Sequence, residues 1–462
     1  MRWRALCWIL AAAGVALALV APHAARAADT GIDIVRIPPK RVAEPSRPEQ
    51  NAPPKAIEPK KEQVAPPQQL GRFHKLSVKL GALSGDAQKG WLGVRMDPVE
   101  LPLALSLGLV NANGALIVDA APGGPAGEAG VRFGDIVVSA NGKQIAHMGE
   151  LRQLVSSSAP GTQLVLEVWR STSDDGDFLS TLRRLADGGN SYIMYRLGRM
   201  YATGIGAPRD EAEAVRWYRK GTDAGNLSAM TALGLALMEG RGASKDTQEG
   251  ARLLKAASDK GNHDAMHALG LYLREGKQVA KDSLEASRLF TLAAEGGHAA
   301  AMVELGWMYD RGDGVQTDHV KAAHWYRKAA ELGNSAGMVN LGFLYARGKG
   351  VEANDALAVS WYRKAAADGN PAGIHNLAAM ADNGKGLDRD PEYAATLMMQ
   401  ALDLRYEFSR SQMTENANNW TREFRRALQR KLRDAGFYSG NIDGEFGATT
   451  TAAVEAYMKR NR

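Results

Sequence analysis

The chain has 462 residues, enough for about three folded units at about 150 residues each, which excludes one small domain. Apolar residues make 45% and charged residues 23%, proportions that exclude wholesale disorder and a polytopic membrane protein. The formal charge of +6 falls to +3 without Arg2, Arg4 and Arg26 of a removable N-terminal segment, too weak a basic bias to point to nucleic acid.

Residues 1–27 begin with Arg2 and Arg4, continue through an apolar run from Ala5 to Val20 and end on Ala25-Arg26-Ala27. That order predicts a secretory signal cleaved after Ala27, because the apolar run is shorter than the roughly 20 residues a spanning helix needs. A retained membrane anchor or an uncleaved cytosolic start is the alternative. Cys7, the one cysteine, falls inside this segment, so the mature chain is expected to hold no disulfide, thiolate metal site or cysteine nucleophile. Residues 28–74 form a linker: nine of the eighteen prolines lie between Asp29 and Leu70, and such a composition cannot build a core. An extended, disordered spacer is expected. A basic segment for wall or membrane is the alternative, diluted by Asp33, Glu44, Glu49, Glu58 and Glu62.

From 75 to 171 short apolar runs alternate with glycine. Trp91-Leu92-Gly93-Val94, Ala115 to Val118, Asp135 to Val138 and Leu164 to Trp169 read as strands. Asn141-Gly142 predicts a tight hairpin turn, and Gly149 to Ser157 a short helix with Leu151, Leu154 and Val155 on one face. In order, Lys89-Gly90-Trp91-Leu92-Gly93-Val94, Pro122-Gly123-Gly124-Pro125-Ala126, Ala129-Gly130-Val131 and Gly134-Asp135-Ile136 resemble the bacterial PDZ domain of high-temperature-requirement proteases. The resemblance implies a carboxylate-binding loop at Gly90, Trp91, Leu92, Gly93 and Val94, whose glycines turn consecutive N–H groups inward. A peptide would add as a strand beside the one starting near Leu92, with its last side chain in a pocket closed by Leu151, Leu154 and Val155. A groove filled by the chain's own linker or a neighbouring repeat is the alternative. Residues 28–74 are too few for the Ser-His-Asp domain that precedes the module in those proteases.

Between 178 and 404 the sequence repeats every 36 residues. Gly189-Asn190, Gly225-Asn226, Gly261-Asn262, Gly297-His298, Gly333-Asn334 and Gly369-Asn370 mark six copies, with Leu-Gly pairs from Leu197-Gly198 to Leu341-Gly342 in phase. Such a period means stacked units, each too small to bury its own apolar face. Each copy reads as two helices, and Asp210, Asp246, Asp282, Asp318, Asn354 and Asp390 stand where a side chain caps the second. Met194, Met230, Met266, Met302, Met338 and Ile374 are expected in the core. Phe178 to Gly188 matches the second half of a repeat and predicts a cap on the exposed N-terminal end.

Ala322-Ala323-His324-Trp325-Tyr326-Arg327-Lys328-Ala329-Ala330 and its copy at 358–366 resemble Sel-one-like repeats, relatives of the tetratricopeptide repeat. The resemblance implies a curved solenoid that binds partner proteins on its concave face. Many members pair cysteines; this chain relies on packing. Among position-matched Arg199, Leu235, Leu271, Trp307, Phe343 and Ala379, the residues Arg199, Trp307 and Phe343 are candidates for a partner surface, with an inter-repeat core contact as the alternative. His263 and His267 have the i, i+4 spacing of two zinc ligands, but the residue after the first is Asp264 and no third ligand is evident, which favours ordinary surface or interface histidines.

Residues 421–462 contain Leu428-Gln429, Ala435-Gly436-Phe437-Tyr438, Gly440, Ile442-Asp443-Gly444, Phe446-Gly447 and Ala453-Val454, which read as helix, glycine-rich turn and helix. They resemble the small peptidoglycan-binding domain appended to cell-wall hydrolases, although Met458 departs from the family's usual glutamine. Gly440, Asp443 and Gly444 are then the candidate peptidoglycan-binding residues, with a purely structural cassette as the alternative.

The fold class is therefore multidomain and mainly α: an α/α solenoid with one small β-rich PDZ domain and a small C-terminal helical domain. No nucleophile with a base, paired-carboxylate cleft or complete metal site emerges, and no catalytic residue, metal or cofactor is expected. The expected function is a periplasmic, non-enzymatic adaptor that binds protein C-termini, a solenoid partner and peptidoglycan, without nucleic acid or stable membrane insertion. A cell-wall hydrolase with an unrecognised catalytic site, or its direct regulator, is the alternative.

Overall fold

The computed structural model describes residues 70–83, 86–121, 123–172 and 178–460; the signal at 1–27 and the linker residues 28–69 lie outside them, whereas residues 71–74, expected in the linker, belong to the first strand, which pairs with the last strand of the domain. The first domain runs β1 (Gly71–Lys79), β2 (Gly81–Leu83), β3 (Asp86–Trp91), β4 (Val94–Pro98), α1 (Leu101–Ser106), β5 (Ala115–Ala120), α2 (Pro125–Glu128), β6 (Ile136–Ala140), β7 (Lys143–Gln144), α3 (Met148–Ser157) and β8 (Gln163–Ser171). One antiparallel sheet has the order β1-β8-β6-β5-β4, with β7 on β6, and β2 and β3 form a separate ribbon. The Asn141-Gly142 turn has φ of 51° and 78° and joins Ala140 to Lys143 as a tight hairpin. One expectation is corrected. Trp91 to Val94 is not one strand, because Gly93 takes φ of 75° and breaks it, so the edge strand starts at Val94 rather than near Leu92.

α4 (Phe178–Asp187) leads into six helix pairs: α5 (Ser191–Thr203) with α6 (Glu211–Asp223), α7 (Leu227–Glu239) with α8 (Thr247–Asp259), α9 (His263–Glu275) with α10 (Ser283–Glu295), α11 (Ala299–Arg311) with α12 (His319–Glu331), α13 (Ser335–Arg347) with α14 (Asp355–Ala367), and α15 (Pro371–Asn383) with α16 (Pro391–Asp403). Every one of these twelve helices is capped by the side chain before it, the first of each pair by Asn or His298 and the second by Asp or Asn354. The oxygen, or in His298 the ring Nδ1, accepts a backbone N–H that the helix cannot pair itself.

Close packing explains the Leu-Gly row. A Cβ on Gly270, Gly306 or Gly342 would lie 2.6, 2.7 or 2.8 Å from the ring of Phe290, Tyr326 or Tyr362, so the glycine lets the aromatic lie flat on the first helix. The methionine row is buried as expected, from Met302 at 4% to Met194, Met230 and Met266 at 8% exposure. First helices of successive pairs approach one another, α5 with α7 and α7 with α9, and so line the inside of the curve.

α4 is not an exposed cap. Phe178, Leu179 and Leu182 share one core with Leu103, Ala104, Leu107 and Trp169 of the first domain and Ile193 and Leu197 of the first repeat. Ser171 and Thr181 hydroxyls share a buried hydrogen bond of 2.5 Å, and Asn190 Nδ2 donates to Ser106 Oγ at 2.8 Å. The physical reason is that α4 is apolar on two faces: one meets the repeat, and the other is covered by the β domain.

At the far end, α17 (Glu407–Thr414), a 3-10 turn (Ala417–Asn419), α18 (Arg422–Asp434) and α19 (Ala448–Lys459) close the stack. Phe424, Leu428, Leu432 and Val454 continue the core of the last repeats. Thr421 N donates to Asp382 Oδ2 at 2.9 Å and Tyr457 OH to Asp403 Oδ1 at 2.5 Å. Among the described residues no helix is long and apolar enough to cross a membrane.

Candidate functional site

Three places gather the side chains singled out by the sequence. The first is the edge of the β domain. Among the described residues no strand pairs the outer side of β4, and α3 packs alongside it. Gly90 ties the loop to the end of α3, its N–H donating to Ser158 O at 2.8 Å. The carbonyls of Leu92 and Gly93 accept from Ala126 N at 3.0 Å and Ala121 N at 2.8 Å. Trans peptide planarity then points the N–H groups of Gly93 and Val94 the opposite way, off the body of the domain.

Leu92, Leu151 and Val155 are buried beneath this edge, Leu154 and Val94 are half-buried, and Trp91 is 38% exposed beside the loop. The expected groove residues are thus brought together. Met96 on β4 and Met148 on α3 join them as half-buried apolar lining. Sequence reasoning missed both, although Met96 stands two residues from Val94 on a strand, and Met148 three from Leu151 on a helix.

The second place is the inner face of the repeats. A depression of about 450 Å3 is lined by Leu235 and Glu239 of α7, by Asp264, His267, Leu271, Tyr272 and Glu275 of α9, and by His298. Leu235 and Leu271 belong to the row from which Arg199, Trp307 and Phe343 were chosen. Arg199 is exposed, its guanidinium 6.0 Å from the Tyr195 ring. Trp307 is half-buried under Arg274, 4.9 Å from its ring. Phe343 is only 8% exposed and packs into the repeat core. The three do not meet in one site.

His263 and His267 also part company. His263 packs on Gly296, whereas the His267 ring lies 4.7 Å from that of His298. Burial, helped by the neighbouring His298, pushes His267 down to about 4. Asp264 is held low by its hydrogen bond with His298 Nε2 at 3.2 Å. Among the described residues no three His, Cys, Asp or Glu side chains could hold a metal ion. The floor is apolar, and the carboxylates at its rim are already engaged, Glu239 by Arg241, Glu275 by Lys277 and Asp264 by His298.

The third place is the turn between α18 and α19. Gln429, fully buried, organises it: Gly444 N donates to its Oε1 at 2.8 Å, while its Nε2 lies 3.0 Å from Glu445 O and 3.1 Å from Asp443 Oδ1. Asp443 Oδ1 also accepts from Glu445 N at 2.8 Å, and these hydrogen bonds hold its carboxyl below the usual range. Gly440 lies against the Tyr438 hydroxyl, and Gly444, buried at φ of 80°, lies against Arg422 and Arg426. Gly440, Asp443 and Gly444 therefore build the turn, and Arg422 and Arg426 of α18 stand exposed over it, as do Asn441 and Glu445 of the turn itself.

Comparison with known proteins agrees with this division. A family model described as a PDZ domain matches residues 116–170. A Sel1 repeat model matches six successive stretches, 191–226, 227–262, 263–298, 299–334, 335–370 and 371–405. A third, described as "Putative peptidoglycan binding domain", matches 421–462. The chain is similar to proteins named "Probable periplasmic serine endoprotease DegP-like", over the PDZ region. That of Bartonella henselae is 40% identical over 91 residues, 20% of this chain and 18% of the relative. That of Chlamydia muridarum is 41% identical over 86 residues, 19% and 17%. The chain thus spans less than a fifth of the length of these relatives. Among solved structures, a protective antigen of uropathogenic Escherichia coli displaying an SLR fold is 30% identical, covers 61% of this chain and 63% of that one, and has a TM-score of 0.47. A Sel1 repeat protein from Oxalobacter formigenes is 28% identical, covers 46% and 85%, and has a TM-score of 0.43.

Proposed function

We propose that this chain, in which a PDZ domain, six Sel1 repeats and a peptidoglycan-binding domain follow one another, is a non-enzymatic adaptor of the cell envelope. The observation that carries the reading is the outer edge of β4 beside α3, which no strand among the described residues pairs. An extended peptide adds there as a strand. Its terminal carboxylate meets the N–H groups of Gly93 and Val94, and its last side chain enters between Val94, Met96, Leu151, Leu154 and Val155. The repeats hold a second protein on their inner face, with Leu235 and Leu271 as the apolar floor, and the C-terminal domain holds peptidoglycan. Support for an envelope address comes from that last domain and from the relatives, whose names call them periplasmic. Export through a signal at 1–27 completes the reading. Joining modest binders in one body raises the effective concentration of each partner for the other.

The test is a titration of the full chain with fluorescent peptides that differ only in a free or amidated C-terminus, paired with sedimentation on purified sacculi. Binding that drops at least about tenfold on amidation, together with co-sedimentation, is expected. Equal affinity for the two peptides would overturn the groove assignment, and a chain left in the supernatant would overturn the wall assignment.

A further inference from the structure

α18 carries Arg422, Arg425, Arg426, Arg430, Lys431 and Arg433 against Glu423 and Asp434. Its other face, Phe424, Ala427, Leu428 and Leu432, is buried. Three of the cations are used elsewhere: Arg430 and Lys431 pair with Glu392 of the last repeat, and Arg425 donates to Asn418 Oδ1 at 2.5 Å. Arg422, Arg426 and Arg433 remain exposed on one stripe of the helix.

Two of them are oriented. Arg422 Nε and Arg426 Nε both donate to the Asp443 carbonyl, at 2.9 and 3.2 Å. Their stems lie across Gly444, where a Cβ would fall 2.7 Å from Arg422 Cγ and 3.2 Å from Arg426 Cγ. Each guanidinium therefore spends its Nε–H on the turn and keeps its terminal NH2 groups for another acceptor, which is the fork that matches a carboxylate. Nearby acids compete weakly: Glu445 is 3.7 Å from Arg422, and Glu423 is engaged by Arg389 at 3.0 Å.

We propose that Arg422 and Arg426 form a carboxylate clamp, and that the domain grips the wall by the free carboxylates of its stem peptides rather than by the sugars of its strands. This rests on the peptidoglycan reading above. A glycan chain offers hydroxyls and amides, whereas the peptides supply the anions that two aimed guanidiniums fit.

The experiment measures sedimentation of the full chain with two preparations: intact sacculi, and sacculi whose carboxyls are capped as neutral amides. Intact sacculi are expected to retain the chain about tenfold better than capped ones. The double variant Arg422→Gln with Arg426→Gln is expected to lose the same factor, at an unchanged unfolding midpoint. Arg433→Gln, which leaves the turn untouched, checks for a general charge effect and is expected to change retention less than twofold. Equal retention by intact and capped sacculi would overturn the clamp and leave the wall assignment standing. No retention by any preparation would overturn both. Equal binding to anionic phosphatidylglycerol vesicles, lost in the same double variant, would overturn the clamp in favour of a lipid surface.

Discussion

Phe178 meets Phe133 edge to face, ring centroids 5.4 Å apart at 74°. One ring belongs to α4 and the other to the PDZ domain, so the β domain is docked on the solenoid and not strung from it. Gly134 makes the approach possible: at φ of 87° it lies where a Cβ would strike the Phe178 ring. Gly206 of the first repeat similarly receives the Phe133 ring.

Phe178→Ala tests that docking. The side chain is 4% exposed, and removing a buried phenyl ring costs about 3–5 kcal/mol where the cavity cannot collapse. The PDZ and repeat cores should then uncouple. Calorimetry is expected to show one transition for the parent chain and two for the variant; a single transition merely shifted downward would show that the docking is not what couples them.

Besides His267, already pushed down to about 4, the acid limb of stability should belong to His375. It sits fully enclosed on α15, its ring 4.9 Å from that of Phe408, 5.5 Å from Trp420 and 6.2 Å from Tyr406, with Nδ1 2.8 Å from Ser409 Oγ. Burial pushes it down to about 3. The unfolded chain therefore binds a proton near pH 6.5 that the folded chain refuses until about 3, so stability is complete above 6.5 and falls as pH drops through that window. About 2 kcal/mol should be lost between pH 7 and 5 through His375, with a further loss through His267. Asp382, raised by its own burial, works in the opposite sense. Urea midpoints at the two pH values check this, and His375→Gln is expected to flatten the slope.

Gly90→Ala addresses the groove. A Cβ at this position would stand 2.7 Å from Val155 O and 2.8 Å from Ser158 O, atoms of the helix end that cannot give way cheaply. The loop must back away from α3, separating the N–H groups of Gly93 and Val94 from the apolar pocket. A loss of about tenfold in peptide affinity is expected, with sacculus binding unchanged. Unaltered peptide affinity would place the carboxylate elsewhere.

Local signals carried most of this architecture. The 36-residue period, the Asx caps and the Leu-Gly row are set by chemistry within each repeat, so they are readable without a structure. What stayed hidden depends on neighbours far along the chain. Phe178 looks like any cap residue until Phe133, 45 positions earlier, is seen beside it. Phe343 looks like an anchor until the adjacent repeats cover it. At the C-terminal turn, Asp443 and Gly444 stood out because turn residues are conspicuous, whereas Arg422 and Arg426 carry no local signal. Their shared hydrogen bonds to Asp443 O are a tertiary fact.

That turn offers the most discriminating substitution. Gln429 has no exposure, and its amide both accepts from Gly444 N and lies within donating distance of Glu445 O, Asp443 Oδ1 and Tyr438 OH, the last at 3.1 Å. Gln429→Ala leaves Gly444 N buried without its acceptor and takes a donor from Glu445 O, Asp443 Oδ1 and Tyr438 OH, at about 2–4 kcal/mol for a network of this kind. Gln429→Glu should be no rescue. The new carboxylate still accepts from Gly444 N, but it has no N–H for Glu445 O and places a second negative charge against Asp443. Both variants are therefore expected to lower the urea midpoint of the C-terminal end and to weaken sacculus binding, because the arginines lose the carbonyl that aims them. Gln429→Glu should regain stability as pH falls and its carboxyl takes up a proton that can donate, while Gln429→Ala should not. Parallel pH profiles for the two variants would show that the donated hydrogen bond is not what holds the turn.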